Sequence, residues 1–128
     1  MPNQIFLTGY YGFGNTGDEA ILASIVTDLR LQRPDIRITV SSGKPEETAA
    51  LYGVEAILCT DPAGMIEAVR TADLVVIGGG GIFHDYWGFN PHTILSHKQW
   101  GISYFSAPAV LAALHGKPLM LYAVGIGP

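Results

Sequence analysis

Short runs of aliphatic residues alternate along this chain with longer stretches in which apolar side chains recur at helical spacing. Residues 5–8 are apolar and lead into a segment holding Gly9, Gly12, Gly14 and Gly17, which reads as a buried strand ending in a tight loop. Ile21, Leu22, Ile25, Val26 and Leu29 then share one face of a helix predicted over 18–31 and stopped by Pro34. Residues 36–40 predict a second strand running into Ser41-Ser42-Gly43, and 46–52 predict a helix closed by Gly53. A third strand is predicted over 55–58, and Asp61-Pro62 starts a helix reaching Arg70. Residues 74–77 are aliphatic without a polar break, the pattern of a strand covered on both faces, and that strand is expected to stop at Gly78-Gly79-Gly80-Gly81. After a long aromatic loop, Ser106 and Pro108 open a predicted helix through Val110, Leu111 and Leu114 to Gly116, and 118–123 predict a fifth strand.

Regular alternation of strand and helix predicts an α/β fold: a Rossmann-like, doubly wound parallel sheet of about five strands, in a single domain over 1–128. In strand order 3-2-1-4-5, the loops after strands one and four meet at the switch point, where such sheets bind ligands. Those two loops are the glycine-rich ones.

Composition narrows the function without identifying it. Only 14 % of residues are charged and 48 % are apolar, which suits strands buried on both faces and excludes a disordered chain. The net charge of −4 and the scattering of the seven Lys and Arg leave no electrostatic footprint for nucleic acid. Cys59 stands alone, so no disulfide framework forms. The N-terminus carries no leader pattern and no run approaches the ~20 apolar residues of a membrane span, so a soluble cytoplasmic protein is expected.

The first glycine segment contains Gly12-Phe13-Gly14-Asn15-Thr16-Gly17, a G-x-G-x-x-G between strand and helix, the context of a dinucleotide site. Asp18 and Glu19 follow directly and would repel a phosphate at that helix start. Ser41, Ser42 and Lys44 stand where the ribose-binding acid would be, so an NAD(P)-dependent oxidoreductase is a lesser alternative. Tyr10, Tyr11, Asn15, Asp18 and Glu19 instead set hydrogen-bonding groups beside aromatic faces, which suits a sugar; the plain alternative is a helix cap on a glycine turn. In the second segment, the backbone of Gly79, Gly80 and Gly81 can approach a ligand or another strand closely. His84 and Asp85 follow as a candidate proton-transfer pair. With His92 and His97 they match no metal-ligand spacing, so no metal site is assigned. The stretch 86–100, with Trp87, Phe89 and Lys98, reads as a lid or acceptor platform, or as packing for a further domain.

Three clusters carry a family resemblance. They are Gly9-Tyr10-Tyr11-Gly12 with Asn15-Thr16-Gly17-Asp18-Glu19-Ala20-Ile21, then Gly78-Gly79-Gly80-Gly81 with Asp85, then Tyr122 through Gly125-Ile126-Gly127-Pro128. Together they resemble the N-terminal half of the polysaccharide pyruvyl transferase family. The resemblance implies a GT-B-like enzyme of two Rossmann-like halves that moves an enolpyruvyl group from phosphoenolpyruvate to sugar hydroxyls. Phosphoenolpyruvate is then a co-substrate, with no separate cofactor, and its site lies mainly in a C-terminal half beyond this chain. The acceptor is a sugar or a lipid-linked oligosaccharide, which would bring a cytoplasmic enzyme to the inner membrane face. On this reading Asp18 is the candidate base, with Glu19 and His84 as substitutes. Tyr10, Tyr11, Gly12, Asn15, Gly17, Gly79, Gly80, Gly81, Asp85 and Trp87 form the substrate-binding set. Alone, the chain is expected to be inactive and to self-associate, as a homodimer, through the face left uncovered. The competing reading is a free-standing sugar- or nucleotide-binding module.

Overall fold

The computed structural model of the chain describes residues 2–86, 88–95 and 101–127. Five strands, β1 (Gln4–Thr8), β2 (Arg37–Ser42), β3 (Glu55–Leu58), β4 (Leu74–Phe83) and β5 (Leu119–Ile126), alternate with four helices, α1 (Thr16–Gln32), α2 (Pro45–Tyr52), α3 (Pro62–Thr71) and α4 (Gly101–Leu114). A short 3₁₀ turn covers Pro91–Thr93. All pairings are parallel and the sheet order is β3-β2-β1-β4-β5, as the alternation predicts. The fold is therefore α/β and Rossmann-like.

Period-two alternation divides the core into two layers. Ile5 and Leu7 of β1, Ile38 and Val40 of β2 and Val76 of β4 face Leu22, Ile25 and Val26 of α1, with Tyr52 of α2 packed alongside. Phe6 and Val75 point the other way, onto Met65 and Val69 of α3 and Tyr104 and Leu111 of α4. Tyr104 fills this second layer without stranding its hydroxyl, which donates to the Cys59 carbonyl at 2.5 Å.

Two expected boundaries are corrected. The fourth strand does not stop at the glycines: β4 continues to Phe83 because β5 runs on beside it, with Gly80 opposite Val124 and Gly81 opposite Gly125. The glycines thus keep ladder partners that the chain order alone does not reveal. The fourth helix begins at Gly101 and holds Pro108 in its interior, where the ring leaves the Tyr104 carbonyl without its usual donor.

The β4–β5 pair continues past the end of β1, with a register shift between Gly81 and Phe83. Gly79 and Gly80 take positive φ, and so does Ala123, between Tyr122 and Val124, the partners of Gly78 and Gly80, at φ 54°. A left-handed alanine costs about 1–2 kcal/mol, and glycine returns part of that gain as unfolded-state entropy. Ala123→Gly is therefore expected to stabilise the fold by about 0.5–1 kcal/mol, seen as a higher urea midpoint at constant slope. A lower midpoint would mean that Ala123 is not strained. β5 is an edge strand of the sheet, and Leu119, Met120 and Leu121, opposite Val75 to Ile77 of β4, lie exposed on it.

Candidate functional site

The end of β1 lies beside Ile77 of β4, so the first glycine segment leaves β1 next to the point where β4 enters its own glycines, Gly78 to Gly81. The first segment is pinned at several points. Asn15 caps α1, its side-chain oxygen accepting from Gly17 N at 3.1 Å and Asp18 N at 3.3 Å. Glu19 reaches back to take Gly12 N at 2.8 Å with one carboxylate oxygen, and its other oxygen accepts the Tyr52 hydroxyl proton at 2.6 Å. Burial, reinforced by that bond, pushes the Tyr52 hydroxyl up to about 12. Gly43 N donates to the Tyr11 carbonyl at 2.9 Å, tying the segment to the end of β2.

These bonds engage several of the groups singled out in the sequence. Glu19, a substitute for the base, has both oxygens engaged, by Gly12 N and the Tyr52 hydroxyl. Asn15, Gly12 and Gly17 shape the loop. The N–H groups of Gly12, Gly17 and Asp18, which a pyrophosphate would need at this helix start, already have acceptors within the chain. Tyr11, placed among the ligand-binding groups, is fully buried, and its hydroxyl donates to the Gly78 carbonyl at 2.9 Å. It joins the two glycine segments and does not face outward. Tyr10 is half-buried and stacks on Phe13.

Asp18 is the exception in this tightly bonded loop. It stands in the first turn of α1, half-buried, and among the described residues its carboxylate accepts no hydrogen bond. Burial, and then the charge of Glu19, push its carboxyl above the ordinary Asp range. It faces the second segment: a Cβ on Gly80 would sit 2.8 Å from Asp18 Oδ1. A free carboxylate of raised basicity at the switch point can orient a hydroxyl and take its proton.

The second segment serves packing first. At Gly79, where φ is +66°, a Cβ would lie 2.1 Å from Ile21 Cγ2, so α1 rests directly on this strand. Gly81 is exposed, with nothing within 4 Å of its Cβ position. No hydrogen bond or ion pair joins His84 to Asp85, the expected proton pair, among the described residues. Instead, His84 Nδ1 accepts from Tyr86 N at 3.3 Å and its ring tilts against that of Tyr86 at 4.5 Å, while Asp85 is exposed. No hydrogen bond joins His84 to Asp18 among the described residues. Trp87, His97 and Lys98 lie outside the described residues.

Two contributors escape a reading of the sequence. Phe13 is visible there only as the variable position of a glycine fingerprint. Tyr52 gives no signal at all, because it meets Glu19 from 33 residues away. Among the described residues no group of three or more His, Cys, Asp or Glu could hold a metal ion, and no helix is long and apolar enough to cross a membrane.

No curated protein gives a significant match to the chain. The family model described as polysaccharide pyruvyl transferase does match, over residues 15–128, from the Asn15 cap through Asp18 to the β4–β5 pair. This chain belongs to the polysaccharide pyruvyl transferase family.

Proposed function

We propose that the chain forms the acceptor-binding half of a polysaccharide pyruvyl transferase, one that converts two hydroxyls of a sugar in a cell-surface polysaccharide precursor into a pyruvate ketal. The observation that carries this reading is Asp18, a half-buried carboxylate that accepts no hydrogen bond among the described residues, set between two glycine segments at the switch point.

The chemistry needs little more from this half. Protonation of the methylene carbon of phosphoenolpyruvate gives an oxocarbenium-like centre at its neighbour. A sugar hydroxyl adds there and surrenders its proton. Loss of phosphate regenerates an oxocarbenium-like centre, and the second hydroxyl closes the ketal. The sum is phosphoenolpyruvate plus diol giving ketal plus phosphate. Asp18 accepts the proton of the attacking hydroxyl, while Tyr11 and Glu19 hold the loops that present it. The donor is bound by a second, C-terminal half, and a lipid-linked acceptor places the enzyme at the inner membrane face.

The test is the two-domain enzyme incubated with phosphoenolpyruvate and a panel of saccharides. Phosphate release that requires the saccharide, together with a new ketal methyl signal by NMR, is the expected result. Release that ignores the saccharide, or no ketal methyl with any of them, would refute the reading.

A further inference from the structure

The first glycine segment carries an aromatic surface that the proposed chemistry leaves unused. Phe13 and Tyr10 stack face to face, with ring centroids 4.4 Å apart and planes 11° from parallel. Phe13 is 41 % exposed in spite of its size. Its position is nevertheless fixed. The backbone of Gly43 lies so close that a Cβ there would stand 2.7 Å from the Phe13 ring, and the bonds at Gly12 N and Gly43 N hold the chain on either side. A rigid loop therefore presents an aromatic pair to solvent, where it loses apolar burial that a ligand would restore.

The direction of that surface is as telling as its chemistry. Phe13 rests against the end of β2, whereas Asp18 faces β4, so the two lie on opposite flanks of β1. Adjacent strands are about 4.8 Å apart, which makes the flanks about 10 Å apart. Two linked pyranose rings span such a gap; one does not. A pyranose has a face of C–H bonds, polarised positive, that matches the negative face of an aromatic ring.

We infer that Tyr10 and Phe13 form a distal saccharide subsite, on which the sugar next to the reacting one stacks its C–H face, so that the acceptor is a linked oligosaccharide. The inference rests on the acceptor reading given above. It makes Phe13 a specificity-determining residue, because a single sugar seated at Asp18 cannot reach it.

The test titrates the chain and three variants, Phe13→Ala, Phe13→Leu and Phe13→Trp, with lactose, cellobiose and chitobiose, with galactose, glucose and N-acetylglucosamine, and with adenosine. Expected for the parent chain is at least one disaccharide binding about tenfold or more tighter than its component sugars. Alanine and leucine at position 13 are expected to remove that advantage and leave monosaccharide binding unchanged. Tryptophan is expected to keep it and to report occupancy by a shift in its emission. Unchanged melting temperatures in all three variants separate loss of stacking from loss of fold.

A leucine variant that binds the disaccharide like the parent would overturn the subsite, since leucine keeps bulk without a π face. So would adenosine outcompeting every saccharide, which would make the rings a base-stacking surface, or no saccharide in the panel binding at all. The acceptor reading is judged separately, by ketal formation in the two-domain enzyme, and survives a negative result at Phe13.

Discussion

Asp18→Asn in the two-domain transferase proposed above is expected to lower pyruvyl transfer by about 100-fold or more, the usual contribution of a positioned acid or base. The amide is nearly isosteric, so it removes the proton-accepting charge and leaves the first turn of α1 intact. The pH profile supplies a second reading. Because burial and Glu19 raise the Asp18 carboxyl, the acid limb is expected above the ordinary Asp range, with the rate falling as pH drops through that value. Glu19→Gln removes a neighbouring negative charge and should move the limb down. The stability effect has the opposite sign to the activity effect. A carboxyl whose folded value is raised favours the fold when protonated, and that contribution fades as pH rises through the raised value. At neutral pH the asparagine variant is therefore expected to be inactive but no less stable, which distinguishes lost chemistry from lost structure. Normal turnover in the variant, or an acid limb in the ordinary carboxylate range, would remove Asp18 from the mechanism.

Gly12→Ala is expected to be the most damaging single change to the fold among those considered, costing about 3 kcal/mol or more. Gly12 has φ +83°, where an L residue loses about 1–2 kcal/mol. Its Cβ would also lie 2.1 Å from Ser42 Oγ and 2.7 Å from the backbone nitrogens of Gly43 and Lys44. Ser42 cannot turn aside at no cost, because its hydroxyl bonds Thr48 Oγ1 at 2.7 Å and accepts from Lys44 N at 2.9 Å. Overpacking of this kind adds about 1–3 kcal/mol. A fall in melting temperature of about 10 °C or more is expected by calorimetry. A fall of only a degree or two would show that the loop can move away from β2, and would undo the rigidity on which the Tyr10–Phe13 surface depends.

The strand order was legible because the apolar runs and the helical stripes are each strong and alternate without interruption. What escaped was whatever depends on a distant partner. Gly78 to Gly81 read as a strand's end because glycine is poor in strands; the ladder that keeps them in β4 comes from residues 122–125, whose course a local pattern does not specify. Pro108 read as a helix start for a similar reason, since its interior place depends on α4 packing rather than on propensity. In the site, the carboxylates Asp18 and Glu19 were found together because helix starts are recognisable. The difference in their bonding was not, because it depends on which oxygens meet Gly12 and Tyr52 in space. The same is true of Tyr11, whose burial no spacing rule reports.

Tyr11 has a consequence for how the site responds to its surroundings. Burial, and then the charges of Asp18 and Glu19, push its hydroxyl far above the range of a free tyrosine, and the proton stays on the bond to Gly78. The Tyr11 bond between the two glycine segments therefore keeps its proton while Asp18 changes charge, so a shift of pH that recharges the side chain facing Gly80 leaves this joint closed.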